Sequence, residues 1–161
     1  MSGKVLKFLN GFPGTTSRAV DEVIEAFPNG EETAHIAFGA PVALDGNKVV
    51  NVTAEKTDVI GIAVRGVKTE NTYGEDDADY LPNEMVDVMK RGTIVVQMPE
   101  AQEGETVTDP TSGGKVYIVK ATGAFAAEAD GDNTLEMAHW KFKGAPDANR
   151  VVEISLNERV Y

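Results

Sequence analysis

HIAFGAPVALDGNKVV, residues 35–50, decides the class of fold. Ile36, Phe38, Ala40, Val42 and Leu44 occupy even positions, and Ala37, Gly39, Pro41, Ala43 and Asp45 occupy odd ones. Alternation with a period of two marks a half-buried β-strand. Asp45-Gly46-Asn47 then supplies residues that tolerate positive φ, so the chain is expected to reverse and begin a second strand at Lys48. The stretch reads as scaffold rather than as chemistry.

The same signals continue downstream. In DVIGIAVRGV, Ile60, Ile62 and Val64 share one face and Gly61, Ala63 and Arg65 the other. MVDVMKRGTIVVQM returns to strand, with Gly92 in its middle suggesting a bulge or bend. KVYIVKATGAFAAE reads as strand, turn and strand, and RVVEISL closes the chain with Val152, Ile154 and Leu156 in phase. Residues 68–84 and PEAQEGETVTDPTSGG read as surface loops. ADGDNTLEMAHWKFKGAPDAN reads mostly as loop around a short apolar patch. Short strands separated by Gly, Asp and Asn turns predict an all-β fold, a small barrel or sandwich with at most one or two short helices. Residues 33–161 are expected to form the single β-rich domain.

Residues 1–32 are expected to form an N-terminal arm with one ambiguous segment. In SRAVDEVIEAF, Val20, Val23, Ile24 and Phe27 follow helical spacing, and Ser17 could cap the start. By pattern this is an amphipathic helix, though at eleven residues a marginal one.

Composition narrows the function. A chain of 161 residues fits one domain and can bury an independent core. It has no cysteine, which excludes disulfides, thiolate nucleophiles and cysteine-ligated zinc. No apolar run approaches the roughly 20 residues that span a membrane, and the N-terminus lacks the apolar core of a secretory signal. No membrane partner is expected, and synthesis in the cytoplasm is. Fifteen basic against 26 acidic residues give a net charge of −11, and no run of Lys or Arg exceeds two. Nucleic-acid binding needs cations that displace phosphate counterions, so no nucleic-acid partner is expected either.

A search for chemistry returns scaffold readings. His35 and His139 are more than a hundred residues apart and read as structural. Asp130, Asp132 and Asn133 miss the spacing of a calcium loop. EDDADY, residues 75–80, carries four carboxylates in what reads as a solvated loop. TSGGKV fails the phosphate-loop pattern twice, at Asp109 and Val116. None of the four serines lies in a nucleophile elbow. No catalytic residue, cofactor or metal is assigned.

GFPGTTSRAVDEVIEAF, IAFGAPVALDGN, GIAVRGVKTENTYG, YLPNEMVDVMKRGTIVVQM, GGKVYIV with TGAF, and WKFKGAPDANRVVEISL follow one another through nearly the whole chain. This ordered set resembles the capsid cement, or head decoration, proteins of tailed bacteriophages. The resemblance implies a β-rich, non-enzymatic protein on the outer surface of an icosahedral head. It implies that the protein clamps neighbouring major capsid protein subunits as a homo-oligomer, with a trimer favoured and a dimer possible. It also implies that SRAVDEVIEA can be an extended arm instead of a helix. A β-barrel module of the tail or baseplate, and a small-ligand protein or enzyme, remain alternatives.

Within that reading, Phe8, Phe12 and Pro13 are candidate apolar anchors in the arm. Arg18, Arg65, Lys90 and Arg91 are candidate contacts where the acidic surface is relieved. Phe8 and Phe12 could equally pack on the protein's own barrel.

Overall fold

The computed structural model describes residues 10–66 and 79–158. Eleven strands carry it: β1 (Thr16–Pro28), β2 (Ile36–Ala37), β3 (Pro41–Asp45), β4 (Lys48–Asn51), β5 (Val59–Ala63), β6 (Asp79–Tyr80), β7 (Met85–Gln97), β8 (Lys115–Val119), β9 (Phe125–Ala126), β10 (Thr134–Phe142) and β11 (Val151–Leu156). Among the described residues the only helix is a single 3-10 turn at Gly131–Asn133. The fold is all-β, as the alternation predicts.

Nine strands form one antiparallel sheet in the order β4-β3-β5-β7-β11-β10-β8-β9, with β1 on β7, and the sheet curls into a half-barrel. β2 and β6 form a separate two-stranded piece. β7 is the spine. Its Met89 pairs with Ile62 on one side and with Ile24 of β1 on the other. Its Ile94 pairs with Ile154 of β11 and with Thr16 of β1. Thus β5 and then β11 share one edge of β7, and β1 runs along the other. The bend falls at Gly92, whose φ of +131° belongs to glycine.

The core has two sides. Ala43, Val50, Ile62 and Met89 pack with Ile94, Trp140, Phe142 and Ile154 in one cluster. Their immediate neighbours Val42, Val49, Ala63 and Val88 pack with Ile36, Phe38 and Tyr80 in another. Adjacent residues on a strand point to opposite faces, so β3, β4, β5 and the first half of β7 are covered on both faces. Each fully buried Val, Ile or Met stabilises by about 1.5–3 kcal/mol relative to exposure.

The structure corrects three sequence expectations. Residues 16–28 are strand, not helix. The apolar spacing there imitates a helical period because Ile24 is an exposed apolar residue between the half-buried Val23 and Phe27; β1 is also bulged, with a register slip between Arg18 and Val23 and Asp21 at a φ of +63°. Residues 134–142, read as mostly loop, form β10. The single strand expected from Ile36 to Leu44 is divided, because the chain turns at Phe38-Gly39 with Gly39 at φ +81°. The Gly46-Asn47 hairpin forms as expected, with Asp45 paired to Lys48. Of the polar stretch 68–84, Asp79–Tyr80 are paired with β2, and Glu75, Asp76 and Asp77 lie outside the described residues.

Candidate functional site

The arm is fastened before β1 begins. Gly14 donates its N–H to the Val95 carbonyl at 2.8 Å, and the Val95 N–H returns to the Thr15 carbonyl at 3.0 Å. Arg65 donates its N–H to the Gly14 carbonyl at 2.8 Å. The chain can come this close only because both facing residues are glycines. A methyl group on Gly14, at φ +82°, would lie 2.8 Å from the Gly39 nitrogen, and one on Gly39 would lie 2.9 Å from Pro13 Cβ.

This closeness places three of the sequence candidates together. Pro13 is half-buried against Gly39. Phe12, next to it, is 69% exposed. The Arg65 guanidinium carbon lies 5.0 Å from the Phe12 ring centroid and 5.5 Å from that of Phe38. Phe38 is itself held edge-on against Tyr80, with centroids 5.1 Å apart. Cation–π contacts at exposed sites are worth about 0.5–1 kcal/mol each, enough to orient the guanidinium without burying it. Phe12 also borders a largely apolar hollow of about 280 Å³, lined with Gly11, Pro13, Gln97, Asn149 and Val151.

The other candidate cations are spent within the chain. Arg18 pairs with Glu153 at 2.9 Å, Lys90 with Glu25 at 3.0 Å, and Arg91 with Asp21 at 3.1 Å. Lys90 also lies 6.0 Å from the Phe27 ring centroid. These three pairs tie β1 to β7 and β11. Phe8 lies outside the described residues.

Sequence reasoning missed the groups that hold the arm. Asp147 Oδ2 accepts the Asn10 N–H at 2.9 Å, while its Oδ1 accepts from Asn149 and Val151. The Asn10 side chain donates to the Val151 carbonyl at 2.8 Å. Glu153 accepts from the Ser17 hydroxyl at 2.8 Å as well as from Arg18. Burial pushes both carboxyls up, but the hydrogen bonds outweigh it. Three backbone N–H groups hold Asp147 below its ordinary value, and Arg18 with Ser17 holds Glu153 below its own. The Asp147-Ala-Asn149 turn was legible as an Asx turn; its grip on Asn10, 137 residues away, was not.

His35 Nδ1 lies 3.3 Å from Asp79 Oδ2, and His139 is exposed. Among the described residues no group of three or more His, Asp or Glu side chains could hold a metal ion. A polar hollow of about 410 Å³ is lined in part by Glu31, Asp45 and Glu55. Within it Asp45 pairs with Lys56, and Glu31 accepts the Asn51 N–H. Among the described residues no helix is long and apolar enough to cross a membrane.

The comparisons with known proteins give the class of this curled antiparallel half-barrel. The chain matches, over residues 1–156, the family described as XM1 gp53 minor capsid protein, and it belongs to that family of phage capsid-associated proteins. Among solved structures it is similar to a chain of the capsid of Myoviridae phage XM1, with a TM-score of 0.69 and 18% identity. That match covers 98% of this chain and 97% of the other, and at this identity it shows the shared fold. None of the curated proteins matches the chain.

Proposed function

We propose that the protein is a cement, or decoration, protein that binds the outside of an icosahedral phage head and stabilises contacts between major capsid protein subunits. One observation carries the reading: Phe12 is 69% exposed yet held by a strapped backbone beside Arg65. Burying a large ring that is already positioned gives binding energy at little entropic cost. Membership of a minor capsid protein family supports the capsid as the setting of this reading.

Charge supports the outer placement. A chain of net charge −11 is repelled by packaged DNA and suits the face turned away from it. Assembly as a homo-oligomer, a trimer or a dimer, would let several contacts of about 800 Å² each add through effective concentration. Phe12, Pro13 and Arg65 are the contact residues in this reading. Arg18, Lys90 and Arg91 keep the β1 ribbon in shape beneath them and meet the capsid only at their exposed sides.

The test is to add the purified protein to completed, DNA-filled heads that lack it. Binding to such heads, with a rise in the temperature of DNA release, is expected. Failure to bind filled heads would contradict an outer position.

A further inference from the structure

We infer that the ledge receives an acidic segment of the capsid shell, one that sets a carboxylate on Arg65 and an apolar side chain in the hollow beside Phe12. The inference rests on the outer-surface reading above and adds the chemistry of the partner. Arg18, Arg91 and Arg150 each have a carboxylate partner. Arg65, in a chain with 26 acidic residues, has none among the described residues and stacks on aromatic rings instead. Arg65 is exposed, and a guanidinium's N–H fork matches a carboxylate in two parallel hydrogen bonds.

The hollow points the same way. At about 280 Å³ it has room for one apolar side chain. Its rim is apolar at Phe12, Pro13 and Val151 and polar at Gln97 and Asn149. Gln97 donates to the Asn149 carbonyl at 2.8 Å, so that rim is braced. An aromatic residue, an arginine and an apolar recess side by side make the usual composition of an interface hot spot.

The experiment measures binding of the full chain to heads lacking it, for wild type, Phe12→Ala, Arg65→Met and Arg65→Lys. Arg65→Met keeps the packing and removes the charge. Phe12→Ala and Arg65→Met should each weaken binding about tenfold or more. Arg65→Lys should fall between Arg65→Met and wild type, and added salt should weaken wild type more than Arg65→Met. Tight wild-type binding with both variants within about twofold of it would overturn this inference and leave the cement reading standing. Loss in Phe12→Ala alone would remove the carboxylate. Absence of wild-type binding would overturn the cement reading itself.

Discussion

Gly14 and Gly39 meet backbone to backbone: a methyl group built on either one would lie 2.8 Å from the other's amide nitrogen. Both sit at positive φ, +82° and +81°. Everything that projects from the arm is therefore referenced to the turn between β2 and β3.

Replacing either glycine by alanine adds a backbone clash to a conformation that L-residues resist. Gly14→Ala or Gly39→Ala should cost about 2–4 kcal/mol. The midpoint of urea unfolding reads the loss. Removal of residues 1–16 takes away Phe12 and Pro13 together with the hydrogen bonds of Gly14 and Thr15 to Val95 and the first pair of β1 with β7, Thr16 with Ile94, and should abolish head binding while most of the sheet keeps its far-UV circular dichroism.

Gly61 has a different reason to be glycine. A methyl group there would lie 2.2 Å from the Met89 carbonyl oxygen, where β5 meets β7. Gly61→Ala should cost about 3 kcal/mol or more, because backbone has to move. Thermal unfolding measures it, and a Tm within a degree or two of wild type would show that β5 shifts freely.

Acid should loosen the arm. Asp147 and Glu153 have depressed carboxyl values in the folded state, so their contribution is complete above the ordinary carboxylate range and is lost as pH falls through the folded values. Stability should fall below about pH 4, and hydrogen exchange at Thr15 and Gly14 should rise there before it rises in β11. Glu153→Gln should cost about 1 kcal/mol at neutral pH and flatten part of the acid limb.

Tyr80 makes the opposite prediction at high pH. Burial raises its hydroxyl above the ordinary tyrosine value, and the hydroxyl donates to the Val64 carbonyl at 2.7 Å. With the folded value raised, its contribution is present below the ordinary value and lost as pH rises through the folded one. Tyr80→Phe should cost about 1–2 kcal/mol and reduce the alkaline loss, read by unfolding at pH 7 and above pH 10.

The sequence was most legible where one strand kept one period. Val152, Ile154 and Leu156 pack into one core cluster, as their spacing predicts, while Val151 and Ser155 on the other face are buried too. Where the ladder slips, the period is lost to the eye. In β10, Leu135 and Met137 pack against the core at odd positions, and Trp140 and Phe142 are buried at even ones. The register shift between Met137 and Lys141 changes the face, so one strand reads as a loop with an apolar patch. In β1 an exposed apolar residue did the reverse: Ile24, between the half-buried Val23 and Phe27, gives a helical spacing on an extended chain. At the site, Phe12, Pro13 and Arg65 could be picked out as residue types. That Phe38 completes the stack, and that Asp147 and Glu153 hold the arm, depends on contacts across the sheet that no local pattern encodes.

The proposed role of the protein is to fasten the head from outside. It is tested most directly by the temperature at which DNA-filled heads release DNA, with and without the added protein. Release at a clearly higher temperature is expected once the protein is bound, with a smaller gain for Phe12→Ala at a concentration that only half-saturates the heads with wild type. Equal release temperatures for bare heads and for heads saturated with the protein would contradict it.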